Sequence, residues 1–193
     1  MPKSNIKDHI IEVANNLFYS NGYNATGINE IIAKANIAKA TLYHHFSSKE
    51  ALCIAYLEIR HRNFMEALRK IVASKPIGEK QLIAILDFLR DMYRADDFHG
   101  CWAQKTLGEL GPKDKRIRQT IQKHKKDLLL YLGDIVGDNI ANVSKAETEK
   151  ISGGLYLLYE SAITESHLHQ NDWPIYMSKG IAPSLFSQTK LKQ

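Results

Sequence analysis

Residues 38–46 have the sequence AKATLYHHF, which is the pattern of a short helix with one buried side. Leu42 and Phe46 are four residues apart, so a helix places them on one face while the polar residues between them project elsewhere. The preceding Asn36 suits a tight turn, because asparagine tolerates left-handed backbone. We therefore expect a short amphipathic helix that follows a turn and leaves its polar side exposed.

Two more helices are predicted before this segment. Apolar residues recur at helical spacing from Ile6 to Phe18, and Gly22 is suited to end that helix because glycine accepts the left-handed conformation. A second, short helix covers residues 28–35, and Thr26 is expected to cap its N-terminus. A helix followed by two short helices joined by a tight turn describes a helix-turn-helix, which places its last helix in the major groove of DNA.

The rest of the chain also has helical spacing. Ser47 and Glu50 form the pattern of a capping box, which predicts a long fourth helix that ends near residue 73. Further helices are predicted over about 79–93, 101–110, 115–136, 145–170 and from 172 onwards, the last of them bent by Pro183. The expected fold is all-α, with a helix-turn-helix head in residues 1–48 and a larger helical domain in residues 49–193.

The composition is typical of a folded protein of the cell interior. Of 193 residues, 44% are hydrophobic, and the formal net charge of +5 suits a polyanionic partner without being extreme. The two cysteines lack metal-type spacing, the N-terminus lacks the apolar stretch of a signal peptide, and no run reaches membrane-spanning length. We expect a cytoplasmic protein with no cofactor, no metal site and no membrane association.

Basic residues are concentrated in one segment of the larger domain. Only Asp114 opposes them between residues 113 and 126. They are Lys113, Lys115, Arg116, Arg118, Lys123, Lys125 and Lys126. Such a segment is most often a solvated helix face, and a second DNA contact is the minor alternative.

The exposed side of the third helix carries groups that suit DNA. Lys39 can donate to guanine O6 or N7, and the small Ala40 allows close approach to base edges. Thr41 and Tyr43 can bond phosphate oxygens. The pair His44 and His45 can donate to phosphates or bases. Lys49, in the first turn of the fourth helix, would meet a backbone phosphate together with nearby amides.

The run from Gly22 to Leu52 resembles the signature of the TetR (tetracycline-repressor-like) family of transcriptional regulators. The most specific part is TLYHHF at residues 41–46, followed by Ser-Lys-Glu at residues 48–50. The resemblance implies that Thr26 and Gly27, at the start of the second helix, also belong to the DNA-binding surface. No catalytic residue is expected.

The chain departs from the family pattern at three positions. Asn36 stands where the family often has glycine, and asparagine is the next best residue for a left-handed turn. Ala38 stands where a serine often caps the recognition helix, so that a cap worth about 1 kcal/mol in comparable helices is missing. Gly27 replaces a residue that is often Ser or Thr and removes one phosphate donor.

The resemblance also implies partners for the larger domain. A homodimer would form through the last two helices, whose small residues at Gly153, Gly154, Ser161 and Ala162 permit close packing. Two heads would then bind a near-palindromic operator, and a small-molecule effector would release this repressor-type regulator from DNA. The candidate effector-binding residues are Phe88, Met92, Tyr93, Trp102, Leu128, Tyr131, Tyr156 and Tyr159.

Other interpretations of the same residues stay open. The aromatic residues of the larger domain also fit a plain core, and Cys101 is a redox-sensing thiol or, more often in such a position, a small buried residue. The alternative function is a helical small-molecule-binding protein whose head docks on protein rather than DNA. A helical enzyme is the third class, and we find no nucleophile–base pair, metal set or phosphate loop in the sequence.

Overall fold

The computed structural model describes residues 6–95 and 98–192, and within them the chain forms helices but no β-strand. This confirms the all-α fold class. The helices are α1 Ile6–Asn21, α2 Ile28–Ala35, α3 Lys39–His45, α4 Lys49–Ala73, α5 Glu79–Leu82, α6 Ala84–Tyr93, α7 Trp102–Gly108, α8 Lys115–Asn139, α9 Lys145–His169 and α10 Trp173–Ile181, followed by a 3₁₀ turn over Ala182–Leu185. No helix in these ranges is long and apolar enough to cross a membrane.

The described residues divide into two compact units. The first holds those up to Arg62 together with Trp102–Lys123, and the second holds Asn63–Cys101 and the residues from His124 onwards. The long helices α4 and α8 therefore contribute to both units. This division by compactness does not follow the expected boundary at residue 48, and the assignment of separate functions to residues 1–48 and 49–193 stays a prediction.

The core of the first unit is built from the apolar faces that the helical spacing predicts. Phe18 of α1 is 2% exposed, and its ring lies 5.7 Å from that of Tyr23 and 5.6 Å from that of Tyr56 on α4. Ile31 of α2 and Leu42 of α3 are fully buried. Burial of such side chains contributes roughly 1.5–3 kcal/mol each. The short helices α2 and α3, which would not persist alone, are thereby held by packing with α1 and with each other.

Two predicted features of the turns are confirmed, and one is wrong. Gly22 follows α1 with φ +97°, and Asn36 follows α2 with φ +50°, as their left-handed tolerance predicts. Thr26 does not cap α2, because Gly27 occupies that position without a side-chain acceptor. The Thr26 hydroxyl is buried and donates instead to the carbonyls of Gly22 and Leu17, at 2.8 and 3.2 Å.

The expected capping box at Ser47 and Glu50 is also wrong. The helix begins one residue later than predicted, so the backbone N–H of Ala51 donates to Ser48 Oγ at 3.1 Å. Glu50 instead pairs with Arg116, whose Nη1 lies 3.3 Å from its carboxylate. Two adjacent serines can each accept this bond, and the sequence pattern alone does not decide between them.

The second unit contains α5, α6, α9 and α10 with parts of α4 and α8. The single helix expected over residues 79–93 is interrupted at Ile83, where ψ is 1°. Ser144 forms a complete capping box with Glu147 at the start of α9. Pro183 stands where the last helix changes to a 3₁₀ turn, which agrees with the expected distortion there.

The position of the α4 cap can be tested with two neighbouring serines. Replacing Ser48 with Ala should lower the free energy of unfolding by about 1 kcal/mol, because it removes the only side-chain acceptor seen at this helix start in the described residues. Ser47→Ala is the matched control and should change the free energy of unfolding far less. Denaturant unfolding measures both, and a larger decrease at Ser47 would contradict the observed cap.

Candidate nucleic-acid interface

The third helix is anchored on one side and open on the other. Leu42 is fully buried and Phe46 is 4% exposed, and the Phe46 N–H donates to the Leu42 carbonyl at 2.8 Å to close the helix. On the opposite side, Lys39 and Ala40 are exposed and Tyr43 is 45% exposed. The predicted orientation of α3 is therefore confirmed, whereas the contact with DNA stays a prediction.

The residues at the flanks of this surface are only partly accessible. Thr41 and His45 are half-buried, and His44 is exposed with its ring centroid 5.0 Å from that of His45. Lys39 and Tyr43 make no side-chain hydrogen bond or ion pair with any residue in the described part of the chain. Their polar groups are accordingly available to a partner.

The start of α3 has no side-chain cap. Ala38 has the extended backbone of an N-cap, with φ −71° and ψ 147°, but nothing to accept from the first turn. The N–H groups of Thr41 and Leu42 both donate to the Ala38 carbonyl. This confirms the missing cap expected from the sequence, and it leaves the helix dependent on the burial of its apolar side.

At the N-terminus of α2, fewer groups are accessible to a ligand than the sequence predicts. Gly27 is exposed, and a Cβ built on it meets nothing within 4 Å, so a ligand can approach the backbone there. Thr26 is 0% exposed, and its hydroxyl is committed to two carbonyls of the protein. The Thr26 hydroxyl is therefore engaged within the protein, and the DNA contact predicted for this residue stays a prediction.

Lys49 lies in the first turn of α4 as predicted, but its ammonium is engaged within the protein. Lys49 Nζ lies 4.5 Å from the centroid of the Tyr23 ring and 3.5 Å from the carbonyl oxygen of Asn24. Burial lowers the pKa of Lys49 below its usual value. A phosphate contact by this side chain would require it to leave the Tyr23 ring or to reach past it.

Two side chains, one from α7 and one from the loop after it, bind the end of α1 and the loop that leads into α2. The sequence does not predict these contacts. Lys105 Nζ donates to the carbonyls of Tyr19 and Ser20, at 2.7 and 2.9 Å, and so satisfies the C-terminal end of α1. Glu109 accepts from the backbone N–H of Asn24 at 2.6 Å. A Cβ at Gly22 would stand 2.4 Å from this carboxylate, so glycine is favoured there for space as well as for φ. No local pattern connects residues more than eighty positions apart.

Several candidate effector residues lie in the core of the second compact unit, and their role in effector binding stays a prediction. Phe88 and Tyr159 are buried around Phe64, with ring centroids 5.4 and 6.1 Å from it. Leu128 is buried, and Met92 and Tyr93 are half-buried. Trp102 belongs to the first compact unit, whereas the other candidates belong to the second.

Two tyrosines among the candidate effector residues lie close to charged side chains. The Arg69 guanidinium lies 5.2 Å from the centre of the Tyr131 ring. Burial, followed by the Glu160 charge, raises the pKa of Tyr156. An open groove of about 850 Å³ is lined by Lys192 and by residues of α8, α9 and the loop between them, and none of the candidate residues lines it.

Both cysteines are buried, as expected for structural thiols. Burial raises the pKa of Cys53 to about 12. Cys101 Sγ lies 3.5 Å from Lys125 Nζ, which also donates to both carboxylate oxygens of Glu160 at 2.5 and 2.7 Å. Burial alone would lower the pKa of Lys125, but Cys101 and Glu160 hold it above its usual value. Nothing in these contacts tests a redox role for Cys101.

Comparison with known proteins places the recognised segment in a family. Residues 10–56 match the family described as bacterial regulatory proteins, tetR family. The chain is 42% identical over 66 residues to the HTH-type transcriptional regulator QacR of Staphylococcus aureus, which is 34% of this chain and 35% of that protein. It is 21% identical over 138 residues to the HTH-type transcriptional repressor NemR of Escherichia coli, 70% and 69% of the two chains. The chain thus spans about a third of QacR and two thirds of NemR.

The fold is shared over a much longer stretch than the sequence. A crystal structure of a TetR-family transcriptional regulator from Streptomyces coelicolor superposes with a TM-score of 0.82 at 21% identity, over 95% of both chains. At this identity the likeness establishes the fold. Residues 10–56, which contain the helix-turn-helix, match the tetR family of bacterial regulatory proteins, and the chain as a whole shares the fold of a solved TetR-family regulator.

Proposed function

We propose that the chain is a sequence-specific DNA-binding transcriptional regulator, a homodimeric repressor that a small molecule releases from a near-palindromic operator. The observation that carries this proposal is the open side of α3. Lys39, Ala40 and Tyr43 are exposed there on a helix whose other side, at Leu42 and Phe46, is buried. A helix held in this way presents its polar side at the surface, as insertion into a major groove requires.

Each group on this surface suits a different part of the duplex. Lys39 lies in the first turn of α3, from which an ammonium donates to guanine O6 or N7. Ala40 presents only a methyl group, so the helix backbone can come close to the base edges. Tyr43 lies one turn further on and can donate its hydroxyl to a phosphate oxygen. Base contact and backbone contact would thus come from successive positions of one short helix.

Substitutions on α3 test this assignment. Lys39→Ala should cost about 1–3 kcal/mol of binding free energy and relax the sequence preference at one base pair, because it removes a donor to a base. Tyr43→Phe keeps the ring and should weaken binding to all sequences alike, because it removes only a donor to a phosphate. The measurement is the affinity for a duplex that the wild-type protein selects from a random pool.

Lys80→Ala is a matched control for charge, because Lys80 is an exposed lysine of the second compact unit. It should leave both the affinity and the sequence preference unchanged. Wild-type retention of the selected duplex by both α3 variants would contradict the assignment.

The alternative function is docking of the head on a protein. Binding of the duplex distinguishes the two functions, because phosphate contacts release counterions and make affinity fall steeply with salt. A head that docks on protein would show no such salt-dependent affinity for duplex DNA.

The proposed dimer rests on an exposed apolar face of α9 and α10. The large apolar side chains on these helices that remain exposed are Leu157 (67%), Leu168 (68%), Trp173 (49%), Tyr176 (49%), Met177 (57%) and Ile181 (44%). On α9, Leu157 and Leu168 lie on one exposed side of the helix, with the small polar residues Ser161 and Thr164 between them at helical spacing. Monomeric proteins rarely leave apolar residues grouped in this way.

A second copy of the chain suits this face better than another partner. One helix-turn-helix reads only a half-site, and a two-fold dimer reads both halves of a palindrome. A face that meets itself across a two-fold axis must be self-complementary, which apolar side chains beside small residues allow. Gly153 and Gly180 have open space next to them, so another helix can approach closely there.

A charge placed in this face should separate the subunits. Leu157→Glu should convert the dimer to a monomer at micromolar concentration, because a carboxylate would be buried in an apolar contact. Light scattering coupled to gel filtration measures the mass. Ile77→Glu is the control, since Ile77 is 56% exposed in the loop between α4 and α5. A wild-type monomer, or an unchanged dimer in Leu157→Glu, would contradict the proposed interface.

Effector binding is supported by one buried hydroxyl. Ser166 Oγ is buried and has no hydrogen-bond partner among the described residues. It lies on the same face of α9 as Tyr159, two helical turns away, and Tyr159 belongs to the aromatic cluster of Phe64 and Phe88. A small, largely apolar molecule with one polar group would satisfy it. The individual effector residues stay predictions.

A further inference from the structure

The basic segment around the start of α8 belongs to the same compact unit as the head. Its cations within that unit are all exposed, and they are Lys113, Lys115, Arg116, Arg118 and Lys123. The one acidic residue among them, Asp114, accepts from the backbone N–H of Gly111 at 2.7 Å and so forms part of the loop. The exposed side chains of this segment are therefore mainly cationic.

Hydrogen bonds fix the position of this segment against the start of α2. The Asn24 N–H donates to Glu109 Oε2 at 2.6 Å, and the Asn24 side-chain amide donates to the Glu109 carbonyl at 2.8 Å. Asn24 lies three residues before Gly27, where α2 begins. The loop that leads from Glu109 into α8 therefore starts beside the N-terminus of α2.

A second contact fixes the basic segment against the start of α4. Arg116, in the first turn of α8, pairs with Glu50, in the first turn of α4, at 3.3 Å. Glu50 follows Lys49 directly. Without Arg116, the Glu50 carboxylate would repel a phosphate that approaches this helix start. The pair removes that repulsion and leaves Lys113 and Lys115 without a carboxylate partner anywhere in the described part of the chain.

Helix N-termini of a helix-turn-helix are where the DNA backbone passes. Their N–H groups and positive dipole end attract phosphates, and the helix before the recognition helix crosses the backbone. Cations that adjoin the N-termini of both α2 and α4 accordingly lie at the margin of the DNA-facing surface. Lysine side chains are long and flexible, so they can reach phosphates beyond the base pairs that α3 contacts.

We propose that the first turn of α8 and the loop before it form a second DNA-contact surface, in which Lys113 and Lys115 bind backbone phosphates that flank the segment read by α3. The proposal rests on the DNA-binding function proposed above. It extends the footprint of the protein outside residues 10–56. The contact is independent of sequence, because it involves phosphates and not bases.

The double substitution Lys113→Gln with Lys115→Gln tests the surface by its salt dependence. The slope of log affinity against log salt concentration should become shallower by about one for each phosphate that the variant no longer binds. The sequence preference should not change, in contrast to Lys39→Ala. The control is Lys80→Gln with Lys190→Gln, which removes the same charge from exposed lysines of the second compact unit.

Shortening the duplex locates the contact. On a selected duplex with long flanks, the wild-type protein should bind more tightly than the double variant. When the flanking base pairs are trimmed, the two proteins should bind equally, because the phosphates in question are gone. Circular dichroism melting should show the same stability for the double variant and its control, since all four lysines are exposed.

The outcomes separate the two proposals. A double variant whose salt slope equals that of the control, or whose deficit persists on the trimmed duplex, would overturn the second contact surface while DNA binding stands. A wild-type protein with no salt-dependent affinity for any duplex would overturn the proposed function, and this surface with it.

Discussion

The burial of Leu42 and Phe46 is the constraint on which the proposed DNA-contact surface of α3 depends. The helix that Leu42 anchors and Phe46 closes has seven residues and no side-chain cap, so it would not persist alone in water. The missing cap costs about 1 kcal/mol, whereas burial of a leucine side chain contributes roughly 1.5–3 kcal/mol. Packing therefore outweighs the poor helix start. The same burial sets the rotation of the helix, and that rotation decides that Lys39 and Tyr43 face outwards.

Contacts with α7 and the residue after it hold the rest of the head. Lys105 and Glu109 fix the end of α1 and the loop that leads into α2. An ammonium group on two C-terminal carbonyls is favoured by hydrogen bonding and by the helix dipole alike. Since α2 follows this loop directly, these side chains from a distant part of the chain help to hold α2, which precedes the proposed DNA-contact helix.

The sequence predicted those features that depend on near neighbours. The four-residue spacing of Leu42 and Phe46 indicated the rotation of α3, and the left-handed tolerance of Asn36 indicated the turn. Thr26 was wrongly predicted to be a helix cap, because a hydroxyl beside a helix start can accept from its first turn and can also donate to two buried carbonyls. The effector residues were predicted from aromatic spacing, which identifies the inward faces of helices, and their role in effector binding stays a prediction. The contacts of Lys105 and Glu109 join residues that no periodicity connects.

The exposed surfaces that are proposed to bind partners differ in chemistry between the two compact units. In the first unit they are cationic, at Lys39 and at Lys113 with Lys115, and a polyanion is the partner that such groups favour. In the second unit the exposed face of α9 and α10 is apolar, and it gains most from a partner that is equally apolar, such as its own copy. Added salt screens the first kind of contact and does not weaken the second. In the proposed homodimer, release from DNA would therefore leave the subunits associated, because the two associations depend on different forces.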